Sequence, residues 1–261
     1  MDTTLNNFLF AIAQKAGNVL MDSFQKDHDL IACRSTAKEA ATKYDKIVDS
    51  LIIHAIRNQF PTHSILTEES GLLPREPDWL WIVDSLDGTG NFANHNPLFC
   101  LCIAVLYKGS LCLGTIYAPA INEFYWAEKG KGAYLNQTRI HVSKVSDAGK
   151  SYLFYCEGGD TDRTKTASLL TAIYPHVTDI RKLGAAGLET AWVAAGRGEA
   201  YVTTKIDPWD VAPGVLLVSE AGGAVTDFAG KPWQPQTTTF IASNREIHSQ
   251  VVDLIGKIAL L

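Results

Sequence analysis

Apolar residues near the start of the chain recur at Leu5, Phe8, Leu9, Ile12, Ala16, Val19, Leu20 and Phe24. That spacing lines one face of a helix of about six turns. Ile47, Leu51, Ile52, Ala55, Ile56 and Phe60 repeat the pattern, with Thr42 as a candidate cap and Pro61 just past the end. The rhythm then shortens. SILTEE, WLWIVD, FCLCIAVLY, LCLGTIYA and EFYWAE are brief apolar or alternating runs bounded by Gly, Pro and Asn, which predicts a sheet, with Gly109-Ser110 as a hairpin turn.

Beyond KGKGAYLN and the polar stretch 143–150 the elements alternate. SYLFYC, EAYVTT, AVTDF and FIAS read as strands. Residues 162–174, 187–195, 210–221 and 247–260 read as helices. Strands alternating with helices predict a three-layer α/β unit. The expected fold class is therefore α/β, with a mixed α+β half over 1–145 carrying Glu68, Asp84 and Asp87, and an α/β half over 146–261 carrying Asp210. The length of 261 residues suits one large domain or two moderate ones.

A formal charge of -5 argues against a broad basic face for nucleic acid. The start MDTTLNNFLF lacks the basic opening and unbroken apolar run of a signal peptide, and no apolar stretch approaches the ~20 residues of a spanning helix. Five cysteines (Cys33, Cys100, Cys102, Cys112, Cys156) lie in apolar contexts without metal-ligand spacing. The expectation is a soluble cytoplasmic protein with reduced thiols. Asn136-Gln137-Thr138 matches a glycosylation acceptor, read here as chance.

Acidic residues collect where apolar segments end: Glu68-Glu69 after SILT, Asp84 and Asp87 after WLWIV, and Asp207 with Asp210 before VAPGVLLV. Carboxylates at the carboxyl ends of strands face the crevice where α/β proteins bind ligands. Pressed together, they repel and raise one another's pKa unless a cation sits among them. Oxygen donors without His or Cys favour magnesium or manganese over zinc. Gly88-Thr89-Gly90 adds free backbone N–H groups if it opens a helix through Asn91 and Phe92, which would make an anion site beside the cations. Paired metals of this kind serve in-line displacement at phosphorus.

Each residue also has an ordinary reading. Glu68 can be a solvated side chain, Thr89 a turn hydroxyl and Asp210 a helix N-cap. Spacing removes three other motifs. An EF-hand counted from Asp84 meets Leu86 at its third position. A DxDGT phosphatase nucleophile would fall on Ser85, and no GxxxxGK[ST] loop occurs.

Asp84-Ser85-Leu86-Asp87-Gly88-Thr89, Thr67-Glu68-Glu69 and Trp209-Asp210-Val211-Ala212-Pro213-Gly214, together with KGKGAYLN, LVSEAGG and Thr42–Asp45, resemble the motifs of the inositol monophosphatase family across nearly the whole chain. The resemblance implies a layered αβαβα sandwich of the sugar-phosphatase type, usually a homodimer, that is magnesium-dependent and lithium-sensitive. It implies two or three Mg2+ ions, with Mn2+ as an alternative, on Glu68, Asp84, the Leu86 carbonyl, Asp87 and Asp210. Thr89, paired with Asp45, would polarise the attacking water, with Glu68 helping through a further ion. Asp87, Gly88, Thr89, Ala186, Thr203 and Asp210 would contact substrate.

Ser85 stands where the family carries proline, and Pro213 where it carries a small residue. Thr203 stands where the animal inositol enzymes have a glutamate, and Arg34 where many members have lysine. The expected substrate is inositol-1-phosphate, with fructose-1,6-bisphosphate, histidinol phosphate and 3′-phosphoadenosine 5′-phosphate as alternatives. The rival is a non-catalytic regulatory binding protein. No nucleic acid or membrane partner is expected.

Overall fold

The computed structural model describes residues 3–26, 34–156 and 163–256. Two long helices, α1 (Thr3–Lys26) and α2 (Arg34–Gln59), open the fold. They lead into eight strands: β1 (His63–Thr67), β2 (Gly71–Leu73), β3 (Glu76–Asp87), β4 (Cys100–Tyr107), β5 (Ser110–Ala118), β6 (Glu123–Glu128), β7 (Gly132–Leu135) and β8 (Thr138–Ile140). A short helix, α3 (Thr89–Ala93), follows β3. The strand order is β2-β1-β3-β4-β5-β6-β7-β8, antiparallel except for the parallel pair β1 and β3.

A second, five-stranded sheet joins β9 (Tyr152–Tyr155), β10 (Asp179–Arg181), β11 (Ala200–Thr203), β12 (Ala224–Thr226) and β13 (Phe240–Ser243) in the order β10-β9-β11-β13-β12. Its helices are α4 (Arg163–Ile173), α5 (Ala186–Ala194), α6 (Pro208–Glu220) and α7 (His248–Gly256).

Three apolar clusters stack these elements into five layers. Leu5, Leu9, Ile12, Ala16 and Leu20 of α1 and Val48, Ile52 and Ile56 of α2 pack on one face of the first sheet. Leu188 and Ala191 of α5 and Val211, Leu217 and Val218 of α6 fill the space between the sheets. Leu169 of α4 and Val251 and Ile255 of α7 cover the outer face of the second sheet. The architecture is the αβαβα sandwich. β4 shows why the apolar runs of the first sheet are continuous: Leu101, Ile103 and Val105 face α1 and α2, while Cys100, Cys102, Ala104 and Leu106 face the central helices. Both faces are buried, so no polar alternation survives.

Several boundaries differ from the sequence reading. α2 starts at Arg34, so Thr42 lies inside the helix and does not cap it. The side chains of Arg34 and Thr42, and all of Cys33, Asp162 and 257–261, lie outside the described residues. The β4–β5 turn sits one residue earlier than expected. Tyr107 pairs with Ser110, and Lys108 (φ 49) and Gly109 (φ 75) make the two-residue turn. Two left-handed residues in a row match the twist of the flanking strands. β2, β7, β8 and β10 are only three or four residues long, too short for alternation to announce them. No described helix is long and apolar enough to cross a membrane.

The central layer is tight. A Cβ on Gly214 of α6 would lie 2.4 Å from Thr190 Cγ2 of α5, and one on Gly114 of β5 would lie 3.0 Å from Pro213 Cα. Pro213 at the sixth position of α6 has no N–H to complete the helix ladder. Gly214→Ala should therefore lose about 1–2 kcal/mol of stability, because overpacking costs about 1–3 kcal/mol against a helix-propensity gain of up to about 1 kcal/mol. Urea unfolding checks this, and unchanged or higher stability would show that α5 and α6 have room to separate.

Candidate metal centre

β3 carries the site. Its register against β4 runs regularly from Trp79↔Tyr107 to Asp84↔Cys102 and then jumps to Asp87↔Cys100. Ser85 and Leu86 thus face a single β4 residue, Leu101, and form a bulge. The bulge turns Asp84 and Asp87, three apart in sequence, toward the same central layer. Leu86 N–H donates to Asp84 Oδ1 (2.9 Å) and fixes that carboxylate. Gly88 then takes a left-handed conformation (φ 85), and α3 opens at Thr89. A Cβ on Gly88 would in addition approach Leu98 O to 3.0 Å, so this position requires glycine.

The other carboxylates arrive from separate elements. Glu68 follows β1, with its N–H bonded to Val83 O of β3 (3.3 Å). Asp210 comes from the first turn of α6. Its role differs from the N-cap reading: Asp207 is the N-cap, Pro208 begins the helix, and Asp210 Oδ2 accepts from Asp207 N–H (3.2 Å). The Asp-Pro-x-Asp order carries that capping signal. Oxygen atoms of Glu68, Asp84 and Asp210 lie within 4.8 Å of one another.

Asp87 joins the first sheet to α5. Its Oδ1 accepts from Ala186 N–H (3.2 Å) and its Oδ2 from Gly187 N–H (2.7 Å). The Ala186 amide is therefore taken by Asp87. Asn91 of α3 clamps the same region, donating to Leu183 O (2.8 Å) and Leu98 O (2.6 Å). Glu189, fully buried in α5, accepts from Leu183 and Gly184 N–H (2.6 and 3.2 Å). Burial pushes its carboxyl well above the ordinary range. Neither Asn91 nor Glu189 stood out in the sequence, because each acts on backbone that only the fold brings near.

Two expected contacts are different. Asp45 is buried and bonded to the Ser85 hydroxyl, while Thr89 Oγ1 donates to Leu86 O (3.1 Å). Asp45 and Thr89 are thus each bonded to another partner, and Ser85 supplies Asp45 with a hydroxyl that a proline there would lack. Thr203 is fully buried and its hydroxyl donates to Lys205 O (2.9 Å), so it is satisfied within its own turn and not presented to a ligand.

Electrostatics mark the cluster as strained. Loss of hydration and the neighbouring Asp87 hold Asp84 well above the ordinary carboxylate range, and the same two causes act on Asp210. Glu68 reaches solvent, yet partial desolvation followed by Asp45, Asp87, Glu69 and Asp207 raises it to about 7. Burial lifts Asp87 to about 6 against the pull of its backbone donors, and lifts Asp45 to about 7. These side chains are one another's electrostatic neighbours, which a cation would relieve. Hard oxygen donors fit a magnesium-like ion.

The frame sets a cluster of carboxylates at strand ends between two sheets with a glycine turn beside it, and similarity to known proteins places this chain among phosphatase-type proteins. The sequence pattern of the inositol monophosphatase family matches residues 1–259. The chain is 36% identical over 253 residues to a fructose-1,6-bisphosphatase/inositol-1-monophosphatase of Thermotoga maritima, covering 97% of this chain and 96% of that protein. It is 34% identical over 244 residues to the Nus factor SuhB of Escherichia coli, covering 92% and 91%. The solved inositol monophosphatase of Anabaena superposes with a TM-score of 0.88 at 34% identity over 99% of each chain. This chain belongs to the inositol monophosphatase family.

The raised carboxyls predict a pH effect with a definite sign. Between the ordinary carboxylate pKa near 4 and the folded values of about 6 and about 7, the folded chain holds protons that the unfolded chain has released. The cluster's contribution to stability is full below that window and lost as pH rises through it. With divalent ions chelated, Tm should fall from about pH 5 to about pH 8, and magnesium should restore it at the higher pH. A Tm that magnesium leaves unchanged at about pH 8 would contradict the cation centre.

Proposed function

We propose that the chain is a magnesium-dependent phosphomonoesterase whose leading substrate is inositol-1-phosphate. One observation carries the reading: Glu68, Asp84 and Asp210, from three separate elements, converge within 4.8 Å beside the Gly88 turn. Glu68, Asp84 and the Leu86 carbonyl would hold one ion, and Asp84, Asp87 and Asp210 a second. Bound there, the ions would neutralise phosphate charge and lower the pKa of a coordinated water.

The chain's own groups supply the rest. The Thr89 amide, at the start of α3, would bind a phosphate oxygen, beside the Gly88 amide that faces Asp87. Thr89 and Leu86 are joined through the Thr89 hydroxyl, which fixes that hydroxyl beside the Asp84 end of β3. Asp45, buried and raised to about 7, is poised to accept a proton near neutral pH, with Ser85 orienting it. Asp87 holds the amides at the start of α5 and so sets the wall of the pocket.

Substrate choice turns on the organic half of the ester. Thr203 is turned inward and offers it no charge, so the range extends to fructose-1,6-bisphosphate, histidinol phosphate and 3′-phosphoadenosine 5′-phosphate. The relatives named Nus factor favour a second reading as a regulatory binding protein. Against it, a binding surface has no need for three mutually repelling carboxylates in a half-buried pocket.

Phosphate release from those four esters, with magnesium and with chelator, tests the reading. Chelator-sensitive release from inositol-1-phosphate above the others is expected, and no release from any would move the case to the binding role. Asp210→Asn should cut magnesium-dependent release by about a hundredfold or more, since the charge stabilisation of a ligating carboxylate is worth several kcal/mol. Full activity in a folded Asp210→Asn protein would remove Asp210 from the metal ligands.

A further inference from the structure

We propose that Cys100, Cys102 and Asp87 form a second cation site, sulfur-containing and suited to a thiophilic divalent ion such as cadmium or zinc, set behind the oxygen cluster. The two cysteines alternate on β4 with side chains toward the central layer, opposite Asp87 and Asp84 in the register. Their sulfurs are 4.0 Å apart, and Cys100 Sγ lies 3.4 Å from Asp87 Oδ2. A tetrahedral ion with metal–sulfur bonds of about 2.3 Å and metal–oxygen bonds of about 2.0 Å needs edges of about 3.8 Å and about 3.5 Å. The three ligand atoms lie within 4.8 Å of one another, and the Asp210 carbonyl oxygen lies 3.8 Å from Cys102 Sγ.

A Cβ on Gly187 would lie 2.3 Å from Cys102 Sγ, 3.1 Å from Asp87 Oδ2 and 3.3 Å from Cys100 Sγ, so a side chain there would crowd all three ligand atoms. Both thiols are fully buried and pack as small apolar side chains until a soft ion reaches them. Binding forms two metal–sulfur bonds and breaks two S–H bonds, both protons passing to solvent and no electrons changing hands. Occupation also draws Asp87 Oδ2 from the Gly187 amide. On the proposed function, a bound thiophilic ion would therefore inhibit the magnesium-dependent reaction.

The test titrates the reduced full-length chain with cadmium in excess magnesium and follows the ultraviolet cadmium–thiolate absorption. One ion per chain should saturate the band, and Cys100→Ser and Cys102→Ser should each abolish it. A native protein without the band, or a band that survives both substitutions because Cys33, Cys112 or Cys156 holds the ion, would overturn the site. Cadmium-edge X-ray absorption of the native protein is independent of how the variants fold: two sulfur neighbours are expected, and oxygen neighbours alone would refute it. Loss of phosphate release over the same titration is the expected functional readout. A saturating band in a chain that hydrolyses none of the esters would support the site while counting against the phosphatase reading.

Discussion

Carboxylates forced together at the end of one strand are the constraint around which this molecule is organised. Asp84 and Asp87 are buried, and Glu68 and Asp210 come close enough to help raise the pKa of Asp84. Isolated charges in such a place would be expelled or protonated. The fold instead fixes them from several directions: a backbone amide on Asp84, two amides on Asp87, and a capping contact on Asp210. That positioning presents an oxygen-lined seat for a hard cation.

The surrounding packing follows from holding that seat. The bulge in β3 turns both aspartates inward, and the Asp87 bonds to Ala186 and Gly187 fasten the first sheet to α5. α6 must then lie against both α5 and the sheet for Asp210 to arrive, which is where Gly214 and Gly114 permit backbones and side chains to meet. Asn91 and Glu189 secure the 183–186 turn from opposite sides. Residues far apart in the chain thus share one rigid region, as a centre needing precise ligand placement requires.

Much of this was legible in the sequence because its signals are local. Helical periodicity marked α1, the apolar runs marked β3 to β6, and acids at the ends of those runs marked Glu68, Asp84, Asp87 and Asp210 as companions. What stayed hidden depends on tertiary proximity. Asp45 bonds to Ser85 and Thr89 to Leu86, and Thr203 satisfies itself on Lys205. The thiols of Cys100 and Cys102 read as apolar filler until the register set them opposite the aspartates. Short strands such as β7 and β10 form because a neighbour offers an edge, which their own residues do not announce.

On the proposed function, Glu68, Asp84, Asp87 and Asp210 hold divalent cations. Anomalous diffraction from crystals soaked in manganese tests it most directly, since manganese shares magnesium's preference for oxygen donors and can be located by its own scattering. Anomalous peaks are expected among the oxygens of those four residues and the Leu86 carbonyl. Strong peaks elsewhere, with none at the end of β3, would contradict it.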